Sequence, residues 1–139
     1  MPAEPNRSAQ LPEPSRRLRV LIVDDERDTV STLTALLADE GYQVRGVHLG
    51  RDVIPAMRDF MPDAVLLDLA MPGISGWDLA REIRSRYPDR NPVLVAISGQ
   101  YKEDADKLLG QLAGFDHHVT KPCDPEELMA LLAGMTPRG

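Results

Sequence analysis

The chain has 139 residues, 42% of them hydrophobic, which suits one domain built around a single core. Its formal charge of -6 at pH 7 disfavours nonspecific binding to nucleic acid or an anionic membrane, since both attract a net basic face. A single cysteine, Cys123, excludes an intramolecular disulfide and a cysteine-based zinc site, and the apolar stretches fall well short of the roughly 18 to 20 residues that cross a bilayer. No charged-then-apolar leader opens the chain, so the expected setting is cytoplasmic.

Residues 1–17, MPAEPNRSAQLPEPSRR, carry four prolines and almost no large apolar residue, and are expected to form a flexible leader. VLIV at 20–23 then reads as a strand, followed by a helix whose Val30, Leu33 and Leu37 form one stripe that ends at Gly41. YQVRGV at 42–47 alternates as a half-buried strand would, and RDVIPAMRDF at 51–60 reads as a short helix with Pro55 in its first turn. DAVLLDL at 63–69 is a third strand, MPGISG at 71–76 a turn-rich loop, and WDLAREIRSR at 77–86 a helix. The basic runs SRRLR at 15–19 and REIRSR at 81–86 read as a strand flank and a solvated helix face.

PVLVAIS at 92–98 gives a fourth strand, with a helix over roughly 102–113 that stops near Gly114. FDHHVT at 115–120 is a short fifth strand, and DPEELMALLAG at 124–134 opens with an Asp cap and a proline at the first helical position. Met57, Met61 and Met129 are expected in the core, and Trp77 against the sheet at the start of its helix. Five βα units predict an α/β domain, a doubly wound five-stranded parallel sheet with five helices, over residues 18–134 with a tail at 135–139.

In such sheets ligands bind beyond the carboxyl ends of the strands. Asp24 and Asp25 end the first strand, Asp68 the third, Ser98 the fourth, and Thr120 and Lys121 the fifth, so these groups converge on one rim. Two like charges about 4 Å apart repel by about 1 kcal/mol in water and more where solvent is thin, which a divalent cation relieves. Oxygen ligands without His or Cys suit Mg²⁺. Asp68, alone at the end of a central strand, is the best placed nucleophile toward a phosphoryl group, with Asp24 and Asp25 on the metal, Lys121 neutralising phosphoryl oxygens and the Ser98 hydroxyl bonding one of them. His117 and His118 are strand neighbours that point to opposite faces, and so are not expected to share an ion.

The segments VDDE, LLDLAMPGISG, AISG and TKP, in that order, resemble the receiver domain of bacterial two-component and phosphorelay response regulators from about Arg19 to Ala133. That resemblance implies the flavodoxin-like strand order 2-1-3-4-5, Asp68 as phosphoacceptor, Asp25 binding Mg²⁺ directly, Asp24 largely through water, and the Ala70 carbonyl as a further ligand. It implies a cis bond before Pro122. It also implies a switch in which Ser98 is drawn to the phosphoryl group and His118, three residues before the lysine, changes rotamer. A histidine there would make the switch sensitive to pH. Ala70 and Gln100 occupy positions that in the family influence how fast the phosphoryl group is lost.

The partners so implied are a histidine kinase or histidine phosphotransfer domain and a downstream protein, with neither nucleic acid nor membrane bound directly. After Ala133 only GMTPRG follows, so output is expected through protein contact or onward phosphotransfer. The SGQ and GFDHHVTKP stretches look more like receivers of hybrid kinases or relays than those of transcription factors. A flavodoxin-like electron carrier would need a phosphate-cradling loop where this chain has DDERD, and a haloacid dehalogenase-type phosphatase wants an Asp where it has Ala70. A receiver-like docking module that is never phosphorylated is the alternative reading.

Overall fold

The computed structural model describes residues 17–89, 91–99 and 113–137. The most apolar runs become the central strands: β1 (Arg19–Val23), β3 (Ala64–Asp68) and β4 (Val93–Ser98), the last two buried at every position. β2 (Gln43–Val47) and β5 (His117–Thr120) lie at the edges of a sheet of order β2-β1-β3-β4-β5. All four strand pairings are parallel.

The helices described are α1 (Arg27–Asp39), α2 (Val53–Phe60), entered through a 3-10 turn at Gly50–Asp52, α3 (Gly76–Arg86) and α4 (Pro125–Ala133). The helix expected over 102–113 lies outside the described residues apart from Ala113, which is helical and buried. Among the described residues, no helix is long and apolar enough to cross a membrane.

The period-two pleat sorts the core into two layers. Leu21, Val23, Val65, Leu67 and Leu94 pack with Val53, Met57, Leu79 and Ile83 of α2 and α3. Their alternates Val20, Ile22, Leu66, Val95 and Ile97 pack with Val30, Leu33 and Leu37 of α1 and with Leu128 and Leu132 of α4. Helices thus cover both faces, as double winding requires. Gly41 follows the end of α1 with φ +98°, a conformation glycine adopts without Cβ strain, and the Asp124 side chain caps α4 by accepting from the Glu126 N–H.

Several local expectations need correction. Met61 is not in the core: α2 ends at Phe60, and Met61 caps it in the left-handed region, φ 54°, with 43% of its surface exposed. β2 is more open than half-buried, with Arg45 and Gly46 exposed, because it pairs only with β1. Met135, assigned to the tail, packs half-buried on the α1/α4 layer.

Arg84 is not part of a solvated face. Its guanidinium donates to the carbonyls of Gly114 at 2.6 Å and Pro92 at 2.6 Å and to the Asp116 carboxylate at 2.7 Å, pinning the end of α3 to the segments that enter β4 and β5. The Asp116 carboxylate also accepts from Leu94 N–H at 2.9 Å. Replacing Arg84 by Met removes these bonds while keeping most of the aliphatic stem, and should cost about 2 kcal/mol of unfolding free energy in urea titrations. A midpoint equal to that of the unmodified protein would show that the pin contributes nothing.

Candidate functional site

The parallel register brings the acidic strand ends level with one another. Val23 pairs with Leu67, so Asp24, one residue on, stands beside Asp68. Asp68 pairs with Ile97, and Ser98 with Thr120, which puts Ser98 and then Lys121 just beyond that level on β4 and after β5. Backbone bonds continue the sheet past its strands: Asp24 N–H to Val47 carbonyl at 3.0 Å, Leu69 N–H to Ile97 carbonyl at 2.9 Å, and Lys121 N–H to Ser98 carbonyl at 2.7 Å.

Asp24 and Asp68 are buried, at 3% and 2% exposure, whereas Asp25 is exposed. Each buried carboxylate is held by the chain just beyond it: Asp24 Oδ1 accepts from Glu26 N–H and Asp68 Oδ1 from Ala70 N–H, both at 2.9 Å. The other oxygens face a single ammonium, Lys121 Nζ lying 3.2 Å from Asp68 Oδ2 and 3.5 Å from Asp24 Oδ2. The Lys121–Pro122 peptide bond is cis.

Burial raises the Asp24 carboxyl above its ordinary value, and the charge of Asp68 adds to this, while the Glu26 N–H bond and Lys121 oppose it. Burial by itself would lower the Lys121 ammonium, but the hydrogen bond and charge of Asp68, followed by those of Asp24, outweigh it and raise its pKa. Cys123, half-buried nearby, has its thiol pushed up by burial, away from the reactive thiolate.

One oxygen each from Asp24, Asp25 and Asp68 can be chosen so that all three lie within 4.8 Å of one another. The set is entirely hard oxygen, two members are drawn from water, and among the described residues a single ammonium answers them. Those residues fit a Mg²⁺ that takes a few carboxylates and keeps several waters.

The other expected residues are partly gathered. Ser98 is buried at the end of β4, Ala70 is exposed just past Asp68, and His118 is half-buried in β5 opposite Ala96, with His117 exposed beside it. Trp77 meets Phe115 edge-on with ring centroids 5.8 Å apart. Gln100 lies outside the described residues. Two residues that sequence reasoning did not single out bear on the arrangement. His48, just past β2, has Nδ1 3.2 Å from the Asp24 carbonyl. Asp63, buried at the opposite end of the sheet, accepts from Arg19 N–H at 2.8 Å and ties β1 to β3 there.

This is a doubly wound α/β domain with an acidic crevice, partly answered by a lysine, at its strand ends. A family model described as "Response regulator receiver domain" matches residues 20–133. The DNA-binding response regulator MtrA of Mycobacterium tuberculosis is 35% identical over 114 residues, covering 82% of this chain and 48% of that protein. MtrA of Mycobacterium leprae matches at 35% over 82% of this chain and 49% of its own length. Among solved structures, CheY4 of Vibrio cholerae shares the fold at TM-score 0.79 and 23% identity over 85% of this chain and 98% of its own. The BeF3-activated receiver domain of DrrB, from Thermotoga maritima, gives TM-score 0.73 and 25% identity over 85% and 96%. The chain belongs to the response regulator receiver domain family. It spans about half the length of the curated relatives it matches.

Because the folded pKa of Asp24 is raised, the native state holds that proton more tightly than the unfolded chain does. Stability without a cation should therefore fall as pH rises from the ordinary carboxylate value through the raised one. Asp24→Asn, which keeps an oxygen for Glu26 N–H, should raise the melting temperature at neutral pH in chelator and reduce that fall. A lower melting temperature would mean that the Lys121 contact outweighs the cost of burying the charge.

Proposed function

We propose that residues 18–134 form a receiver that takes a phosphoryl group onto Asp68 from a phosphohistidine of a histidine kinase or histidine phosphotransfer domain. One observation carries this reading: a buried carboxylate at the end of a central strand, with an ammonium at 3.2 Å and two further carboxylates within metal-sharing distance. Mg²⁺ would be held by Asp24, Asp25, Asp68 and the Ala70 carbonyl, and supplies positive charge against the phosphoryl oxygens.

In the transfer, an Asp68 carboxylate oxygen attacks phosphorus and the bond to the donor imidazole breaks, its electron pair staying on that nitrogen. An aspartyl phosphate results. Lys121 neutralises transferred oxygens as a point charge, and the Ser98 hydroxyl donates to one of them. Attack of water on phosphorus later releases inorganic phosphate and restores Asp68. The Ala70 N–H, already on Asp68 Oδ1, keeps the carboxylate oriented without a change of fold.

The new charge draws Ser98 inward and gives His118 room to move. This biases a two-state surface that includes β5 and α4 toward a form that binds a downstream protein. The downstream partner is read as a protein, since a net charge of -6 disfavours nonspecific binding of nucleic acid to this domain. Residues 1–16, most of the expected leader, and 138–139 of the expected tail lie outside the described residues. The expected setting is the cytoplasm, where Cys123 stays reduced. The gathering of Asp24, Asp25, Asp68 and Lys121 in one crevice supports the phosphoacceptor reading over the unphosphorylated docking module.

Incubation with Mg²⁺ and acetyl phosphate should add one phosphoryl group to the intact mass, and the adduct should be lost both in Asp68→Asn and in chelator. Absence of the adduct under fast quenching, together with absence of beryllofluoride binding, would leave the docking module as the reading.

A further inference from the structure

The peptide group between Asp24 and Asp25 connects two of the three carboxylates of the crevice, and because a peptide is planar its orientation sets where both side chains start. This acidic turn lies between regular elements, since β1 has ended and α1 begins only at Arg27. Its Asp24 backbone is gripped from the end of β2 and the residue after it. The Asp24 N–H donates to the Val47 carbonyl at 3.0 Å, and the Asp24 carbonyl lies 3.2 Å from His48 Nδ1. A carbonyl oxygen only accepts, so His48 Nδ1 carries the proton in this bond. Glu26 N–H on Asp24 Oδ1 completes a three-point hold.

We propose that His48 is a positioning residue for cation binding, clamping the Asp24–Asp25 peptide so that the two carboxylates are presented in one orientation. This rests on the reading of the acidic crevice as a cation site. The edge strand, which supplies no group to the chemistry itself, would then set how well the metal ligands are arranged. Without the clamp the turn keeps its acidic residues but samples more orientations, and the cation must order them on binding. Binding weakens while the fold, whose two core layers His48 does not join, is little changed.

The test uses the full chain and Mg²⁺ itself as probe, measured by isothermal titration at neutral pH. His48→Ala should weaken binding about five-fold, the effect of losing one ordinary hydrogen bond, with a melting temperature in chelator close to that of the unmodified protein. His48→Asn, whose amide N–H can reach the same carbonyl, should recover most of the affinity. Rescue by Asn distinguishes a clamp from general loosening of the edge strand, which any truncation would cause.

Equal Mg²⁺ affinity in His48→Ala would overturn the inference, as would an Asn variant no better than Ala. Asp25→Asn serves as the control for the site. If the unmodified protein binds no Mg²⁺, the cation reading fails and this inference falls with it. Binding that is lost in Asp25→Asn but untouched in His48→Ala contradicts the role of His48 alone.

Discussion

The Lys121 ammonium stands 3.2 Å from Asp68 and 3.5 Å from Asp24, and the crevice is organised around that unequal balance. Two carboxylates that water barely reaches share one cation, with Asp25 adding a further negative charge at the rim. The strand ends resist moving apart to relieve the repulsion, because β1 and β3 are paired up to Val23 and Leu67, the residues just before the two acids. The site therefore carries a standing preference for added positive charge. It also holds a carboxylate and an ammonium side by side, as the proposed transfer of a phosphoryl group would use them.

Parallel pairing makes this arrangement economical. Asp24, Asp68, Ser98 and Lys121 come from four different parts of the chain, yet each stands at the carboxyl end of a strand whose register its neighbour determines. The opposite end of the sheet is closed by other means. Asp63 joins the entries of β1 and β3, and Arg84 joins α3 to the entries of β4 and β5. Chemistry and closure thus occupy opposite rims, so a substitution that loosens one is expected to leave the other largely intact.

The central strands were legible because β1, β3 and β4 are short runs of large apolar residues, buried on both faces, bounded by acids, turn formers or helical spacing. The crevice was legible because its members end those runs, and a charged residue at the end of a buried strand asks for a partner. Contacts that depend on residues far apart in sequence were not. Arg84 sits in a run of exposed helical charge, and its partners Gly114 and Asp116 lie 30 and 32 residues away. Asp63 opens the run read as the third strand, and nothing in the sequence marks the Arg19 N–H, 44 residues earlier, as its partner. Met61 is apolar and follows a helix, but the left-handed turn that ends α2 carries it outward. His48 gave no signal at all, since its contact is to a backbone carbonyl and no spacing marks it.

The central claim is that Asp68, and no other residue, receives the phosphoryl group. Borohydride reduction converts an aspartyl phosphate to homoserine, which peptide mass mapping locates to a single position. After exposure to a small-molecule phosphodonor with Mg²⁺, homoserine should be found at position 68 and should be absent when the donor or the cation is left out. Homoserine at position 24 or 25, or at none of the three, would contradict the assignment of roles made from the geometry of the crevice.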